Sequence, residues 1–178
     1  IKGISAAMAG EELGMTDAEV AEVMQAFQQQ ALAMAQKKSE EQATANQTEG
    51  AAFLKANKAK EGVVTTESGL QYKVIKAGEG PSPAAEDTIK ANYKGTFING
   101  EVFDQSQEGQ PIEIPVGAVI KGWVAALQLM KVGSKWELYV PGDLAYGPQG
   151  PPGIGPNRTL IFEVELLEIV SKDAPGDK

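Results

Sequence analysis

The sequence predicts an α+β protein, an antiparallel sheet with one short helix on a face, preceded by a long exposed α-helix. Three observations predict it. Residues 16–57 are built mainly from Ala, Gln, Lys and Glu, good helix formers, whereas from Gly62 apolar residues alternate with period two. Asn99-Gly100 sits between two alternating runs, a strong hairpin signal. One stretch, Lys121–Gly133, carries a helical spacing instead.

The elements follow in order. Ile1, Ile4 and Met8 form a short apolar stripe ending at Gly10. Thr16–Glu19 reads as a capping box, in which the Thr16 hydroxyl accepts the Glu19 N–H and the Glu19 carboxylate reaches back. Val20, Val23, Met24, Phe27, Ala31 and Met34 then share one helical face. Beyond Met34 the face fades until Phe53 and Leu54, and a helix polar all round runs through solvent, so the spacing predicts an exposed stalk from Thr16 to about Asn57. A disordered linker is the alternative, favoured by Gly50 and by Thr44–Thr48.

Leu70, Tyr72 and Val74 share one face of a first strand; Ile89, Ala91, Tyr93, Gly95 and Phe97 share one face of a second. Both Asn99 and Gly100 can take positive φ in the turn that follows, and Glu101–Asp104 begins the return strand. Gln110–Gly117 reads as a short edge strand broken by Pro115. Val124, Leu127 and Gln128 line up on the helix, with Gly133 as its C-cap. Ser134–Val140 and Thr159–Val170 complete the sheet, the latter with Leu160, Phe162, Val164 and Leu166 inward. Between those two lies Leu144–Pro156, dominated by Gly and Pro, with Tyr146 near its start.

Composition narrows the chemistry. The chain has 178 residues, 42% hydrophobic, enough for one domain with a core and an accessory segment. A net charge of −8 repels phosphate backbones, so no nucleic-acid partner is expected. No run reaches the length of a transmembrane segment and no signal peptide is visible. The chain opens on Ile1, so a preceding piece carrying the cellular address is expected. With no Cys and no His, thiol and Ser-His or Cys-His nucleophilic systems and the usual zinc and haem ligands are excluded, and no cofactor or metal is expected.

Most aromatics of the sheet region must be core. Three stand apart: Phe103 at a strand end, Trp123 directly after Gly122 at a helix start, and Tyr146 on the Gly/Pro loop. Asp104 follows Val102-Phe103 and is either a site carboxylate or a turn-capping residue. Glu101 and Glu108 read as solvated, which leaves no carboxylate pair for glycoside chemistry.

The segments Asn92–Asp104, Val119–Pro141, Leu144–Gly147 and Thr159–Ile169, in this order and spacing, resemble the FKBP-type peptidyl-prolyl cis-trans isomerases over about Val63–Val170. The helical arm and Ser68–Gly78 resemble the macrophage infectivity potentiator (Mip) and FkpA-like branch of bacterial envelopes. The resemblance implies an FKBP-like antiparallel sheet wrapped around one short helix, in a chain divided into a helical arm (1–60, a remnant of a dimerisation region plus a stalk), an isomerase domain (61–170) and a flexible tail (171–178). It implies catalytic roles for Tyr93, Phe103, Asp104, Trp123, Tyr146 and Phe162, and substrate or inhibitor binding by Ile114, Val119, Ile120 and Ile154. Trp123 would be the pocket floor, and the Ile120 N–H and Tyr146 hydroxyl would bond substrate carbonyls.

Implied partners are proline-containing unfolded or nascent polypeptides, macrolides of the FK506 and rapamycin type, and a second copy joined through the N-terminal region. Implied locations are the periplasm or outer membrane, or the cytoplasm. A chaperone or peptide-binding module with incidental isomerase activity is the rival reading. Two features depart from the family: the residues after Asp104, Gln105–Gln110, offer no Arg to pair with it, and Pro148–Pro156 is variable, so the resemblance extends there only to Tyr146, Gly147 and Ile154. The expectation follows that removal of residues 1–60 leaves the pocket intact.

Overall fold

The computed structural model describes residues 16–107 and 109–170. The stripe of Ile1, Ile4 and Met8, and the tail 171–178, lie outside them. Helix α1 (Asp17–Asn57) is followed by strands β1 (Val63–Thr65), β2 (Gln71–Lys76), β3 (Thr88–Phe97), β4 (Val102–Gln105) and β5 (Ile112–Pro115). Helix α2 (Lys121–Leu129) precedes β6 (Lys135–Val140) and β7 (Leu160–Val170). Every pairing is antiparallel and the sheet order is β1-β2-β6-β7-β3-β4, with β5 also on β3.

The α1 start forms as its sequence requires. The Thr16 N–H donates to Glu19 Oε2 at 2.8 Å and the Glu19 N–H to Thr16 Oγ1 at 3.4 Å. The Thr16 hydrogen bonds hold the Glu19 carboxyl below its usual range. The chain divides into two compact units, 1–41 and 42–178, so the second contains the last four turns of α1 together with the sheet.

Those last turns correct the expectation of a helix exposed to Asn57. Asn46, Gly50 and Asn57 are buried. Asn57 Nδ2–H donates to Gln71 Oε1 at 3.0 Å, and Gln71 Nε2–H donates to the Leu54 carbonyl at 2.9 Å. Phe53 meets the Tyr139 ring at 6.0 Å. Gly50, which favoured a disordered linker, lies within α1, and a Cβ there would sit 2.2 Å from Thr159 Oγ1, so only a glycine lets the helix come this close.

The inward alternation of β7 is as expected, with Leu160, Phe162, Val164 and Leu166 buried against Ala126 and Leu127 of α2 and Leu138 and Val140 of β6. Three local expectations are corrected. Only Gly100 takes positive φ (86°) in the β3–β4 turn: the Gly100 N–H donates to the Phe97 carbonyl and the Phe97 N–H to that of Glu101, a three-residue loop closed by one left-handed residue. Helix α2 ends at Leu129; Gly133 (φ 85°) turns the chain four residues later, its N–H donating to the Leu166 carbonyl, and Gln128 is exposed. Val74 is 43% exposed although Leu70 is buried, because β1 pairs with β2 only at Gln71–Lys73 and leaves Val74 beyond its cover.

Candidate functional site

A cavity of about 280 Å³ opens between the sheet and α2. Its floor is Trp123, 4% exposed. Trp123 sits there because Gly122 before it has no side chain: a Cβ at Gly122 would lie 2.4 Å from Val140 Cγ1, so α2 starts hard against the end of β6. The Trp123 and Val124 N–H groups both bond the Ile120 carbonyl, fixing the peptide at the cavity edge. Tyr93 and Phe162 stand edge-on to the Trp123 ring at 5.5 and 5.4 Å, and Phe103 stands edge-on to Phe162 at 5.6 Å. The Trp123 Nε1–H is buried and meets no hydrogen-bond acceptor among the described residues.

Phe103 and Asp104 are consecutive, and in a regular strand they would face opposite ways. Here they line the same cavity, because β4 carries a bulge. Asp104 pairs with Gly95 and Val102 with Thr96, which leaves Phe103 as the extra residue and re-aims it. Gly95 is the second half of the device. A Cβ on it would lie 2.6 Å from Phe103 Cζ and 3.0 Å from Phe162 Cε1, so both rings occupy the place of its missing side chain.

Asp104 Oδ2 accepts the Tyr93 hydroxyl at 2.5 Å, and its Oδ1 accepts the Gln105 N–H at 2.9 Å. Burial, and then the bond to Asp104, push the Tyr93 hydroxyl well above the ordinary tyrosine range, so it stays a donor throughout the neutral range. Ser106 secures the same segment: the Tyr93 N–H donates to Ser106 Oγ, and the Ser106 N–H donates to the Tyr93 carbonyl. The Tyr93 hydroxyl is thus the partner of Asp104, and the segment that follows the carboxylate, Gln105–Gln110, carries no arginine.

The structure brings Tyr93, Phe103, Asp104, Trp123, Tyr146 and Phe162 around this one cavity, with Ile114, Val119 and Ile120 completing its wall. Ile154 lies apart from them, on an adjoining cavity of about 350 Å³ that shares Phe103, Asp104 and Tyr146. Tyr146, 43% exposed, belongs to both and marks the rim. The sequence reading missed Ile112 and Ala118, which also line the wall, and the positioning roles of Gly95 and Ser106. Ile112 was within reach, since it stands two residues before Ile114 on the same strand face. A glycine inside the alternating β3 run was the available sign of a close approach at Gly95.

The arrangement is an aromatic slot with the Trp123 ring at its floor and the Tyr146 ring at its mouth. It suits an extended apolar segment whose carbonyls meet hydroxyl and N–H donors.

A family model described as FKBP-type peptidyl-prolyl cis-trans isomerase matches residues 80–167, and one described as the domain amino terminal to it matches residues 1–74. Peptidyl-prolyl cis-trans isomerase Mip of Coxiella burnetii is 50% identical over 172 residues, covering 96% of this chain and 75% of that protein. Outer membrane protein MIP of Legionella longbeachae is 45% identical over 170 residues, 94% of this chain and 73% of that protein. The crystal structure of FkpA from Escherichia coli superposes with a TM-score of 0.84 at 40% identity, covering 94% of this chain and 79% of that one.

Proposed function

The chain belongs to the FKBP-type peptidyl-prolyl cis-trans isomerase family, and from that premise we propose that it accelerates X–Pro rotation by desolvating the peptide in the Trp123 cavity. The observation that carries this is the set of aromatic rings around a nearly buried Trp123, with Tyr146 exposed at the rim.

The rotation barrier is about 18–20 kcal/mol and comes from amide resonance. Resonance places charge on the carbonyl oxygen, and water stabilises that planar form. The twisted transition state has lost the charge separation, so a dry slot disfavours the ground state more than the transition state. A 10⁶-fold acceleration needs about 8 kcal/mol. Trp123, Phe162 and Phe103 supply the dry surface. The Tyr146 hydroxyl and the Ile120 N–H hold flanking carbonyls, while Tyr93 is spent on Asp104 and keeps that carboxylate from entering the slot unpaired. Ile154 meets substrate residues outside the slot.

Substrates in this reading are proline-containing unfolded or nascent polypeptides, and macrolides of the FK506 and rapamycin type compete for the slot. With Trp136→Phe leaving Trp123 as the sole tryptophan, such a macrolide should quench its fluorescence and inhibit turnover in parallel. Quenching without inhibition would separate the cavity from the activity.

A second element of the proposal concerns α1. Val23, Met24 and Phe27 are 47, 48 and 53% exposed on one face, and the matched amino-terminal family domain spans them. A second copy of this chain covers that face, and two tethered domains hold one unfolded client. An envelope location accords with one relative's description as an outer membrane protein. Among the described residues no helix is long and apolar enough to cross a membrane. Chaperoning independent of turnover is the rival, and full protection of an aggregating client without proline would favour it.

A further inference from the structure

We propose that Asn46, on helix α1, is a positioning residue for the pocket rim, and that α1 thereby sets how tightly the site holds its substrate. This inference rests on the isomerase reading above. Asn46 is 110 residues from its partner in sequence and 8% exposed. Its Nδ2–H donates to the Pro156 carbonyl at 2.7 Å. Pro156 ends the Gly/Pro loop Leu144–Pro156, which carries Tyr146 near its start.

From Pro156 the connection to the rim is short. The next residue, Asn157, donates its N–H to the Gly147 carbonyl at 2.7 Å, and Gly147 is bonded to Tyr146. Asn157 takes positive φ (50°), a region side chains avoid unless their surroundings hold them there. Gly142 packs so close to it that a Cβ would lie 2.6 Å from the Asn157 carbonyl carbon and oxygen. The two legs of the loop therefore move as one piece. A second path leaves the same leg: the Arg158 guanidinium lies 4.7 Å from the centre of the Phe97 ring, and Phe97 meets Phe103 at 5.0 Å. One turn beyond Asn46, Gly50 abuts Thr159, so the helix bears on this leg at two points.

Asn46 is not among the residues that line the cavity around Trp123, so its loss should act first on the loop and the rim. Tyr146 and Ile154 bind planar and twisted substrate alike, and loosening them raises KM with little change in kcat. Asn46→Asp keeps the shape and replaces the donor by a carboxylate oxygen facing a carbonyl. In the full chain it should raise KM for a short proline peptide about five-fold, the worth of one hydrogen bond, with kcat within about two-fold. Gly50→Ala should do the same by pushing the helix off Thr159, and Thr159→Ala in that background should restore KM by removing the obstructing hydroxyl.

Hydrogen exchange reads the loop without reference to activity: the Ile154, Gly155 and Asn157 amides, bonded to Pro151 and Gly147, should exchange faster in Asn46→Asp than in wild type. A KM unmoved in Asn46→Asp, or a lowered Tm with no change in KM or in those amides, would overturn the proposal. Were the wild-type chain inactive on proline peptides, the isomerase reading would fail, while unaltered exchange would still be needed to refute the clamp.

Discussion

Replacing Gly95 by alanine tests how the aromatic wall is seated. The new methyl would lie 2.6 Å from Phe103 Cζ, 3.0 Å from Phe103 Cε2 and 3.0 Å from Phe162 Cε1. Carbon atoms in contact prefer about 3.5–4.0 Å, so at least one ring must retreat by roughly an ångström. Overpacking of this kind costs about 1–3 kcal/mol. At about 4 °C per kcal/mol for a unit of this size, the Tm should fall by roughly 4–12 °C. The ring that moves is part of the cavity wall, and a misplacement of about 1 Å in a reacting site can cost up to about a hundredfold. In a proline-peptide isomerisation assay kcat/KM should therefore fall about ten- to a hundredfold. Adding Phe103→Leu removes the ring edge from the methyl's path, so the double variant should regain much of the Tm while kcat/KM stays low. Wild-type Tm and kcat/KM in Gly95→Ala would refute the argument that both rings depend on the missing side chain.

Asp104→Leu should lower kcat/KM about tenfold and leave the Tm within about 2 °C, since Asp104 is exposed and surface changes seldom move stability far; unchanged kcat/KM would reduce Asp104 to a turn residue. The pH profile of kcat/KM should be flat between about pH 6 and 9, because the chain has no His or Cys to titrate there, and a bell-shaped profile would speak for acid–base chemistry. Above neutral pH, stability should fall in strong alkali. Burial and the bond to Glu137 push the Tyr139 hydroxyl up to about 12, against about 10 in the unfolded chain; the neutral form is favoured in the fold, so its contribution is complete below about pH 10 and is lost as pH rises toward 12. Tyr139→Phe should make that alkaline fall in Tm shallower, and an identical fall would assign it to other groups.

The fold was legible wherever a pattern repeated. Alternation exposed β3 and β7, and the Thr16–Glu19 spacing exposed the start of α1, because each is a local rule acting over a few residues. What could not be read was non-local. Asn46 and Gly50 look like any polar helix surface until strand β7 and the loop before it are placed beside them. For that reason the contact of the last turns of α1 with the sheet could not be read from the helix alone. Gly133 offered a glycine where a helix stop was wanted, but the cap had formed at Met130 and the glycine serves a turn. Of the site, the aromatic residues were identified through the resemblance, whereas the bulge that turns Phe103 and Asp104 to one side depends on pairing with Gly95 and has no signature in four residues of strand.

The central claim is that this cavity, and no other part of the chain, lowers the barrier to X–Pro rotation. Its most direct test is magnetisation exchange between the cis and trans forms of a short proline peptide at catalytic protein concentration, with and without a macrolide of the FK506 type. The account predicts exchange far above the uncatalysed rate, abolished at one macrolide per chain. No acceleration, or acceleration that survives a saturating macrolide, would contradict it.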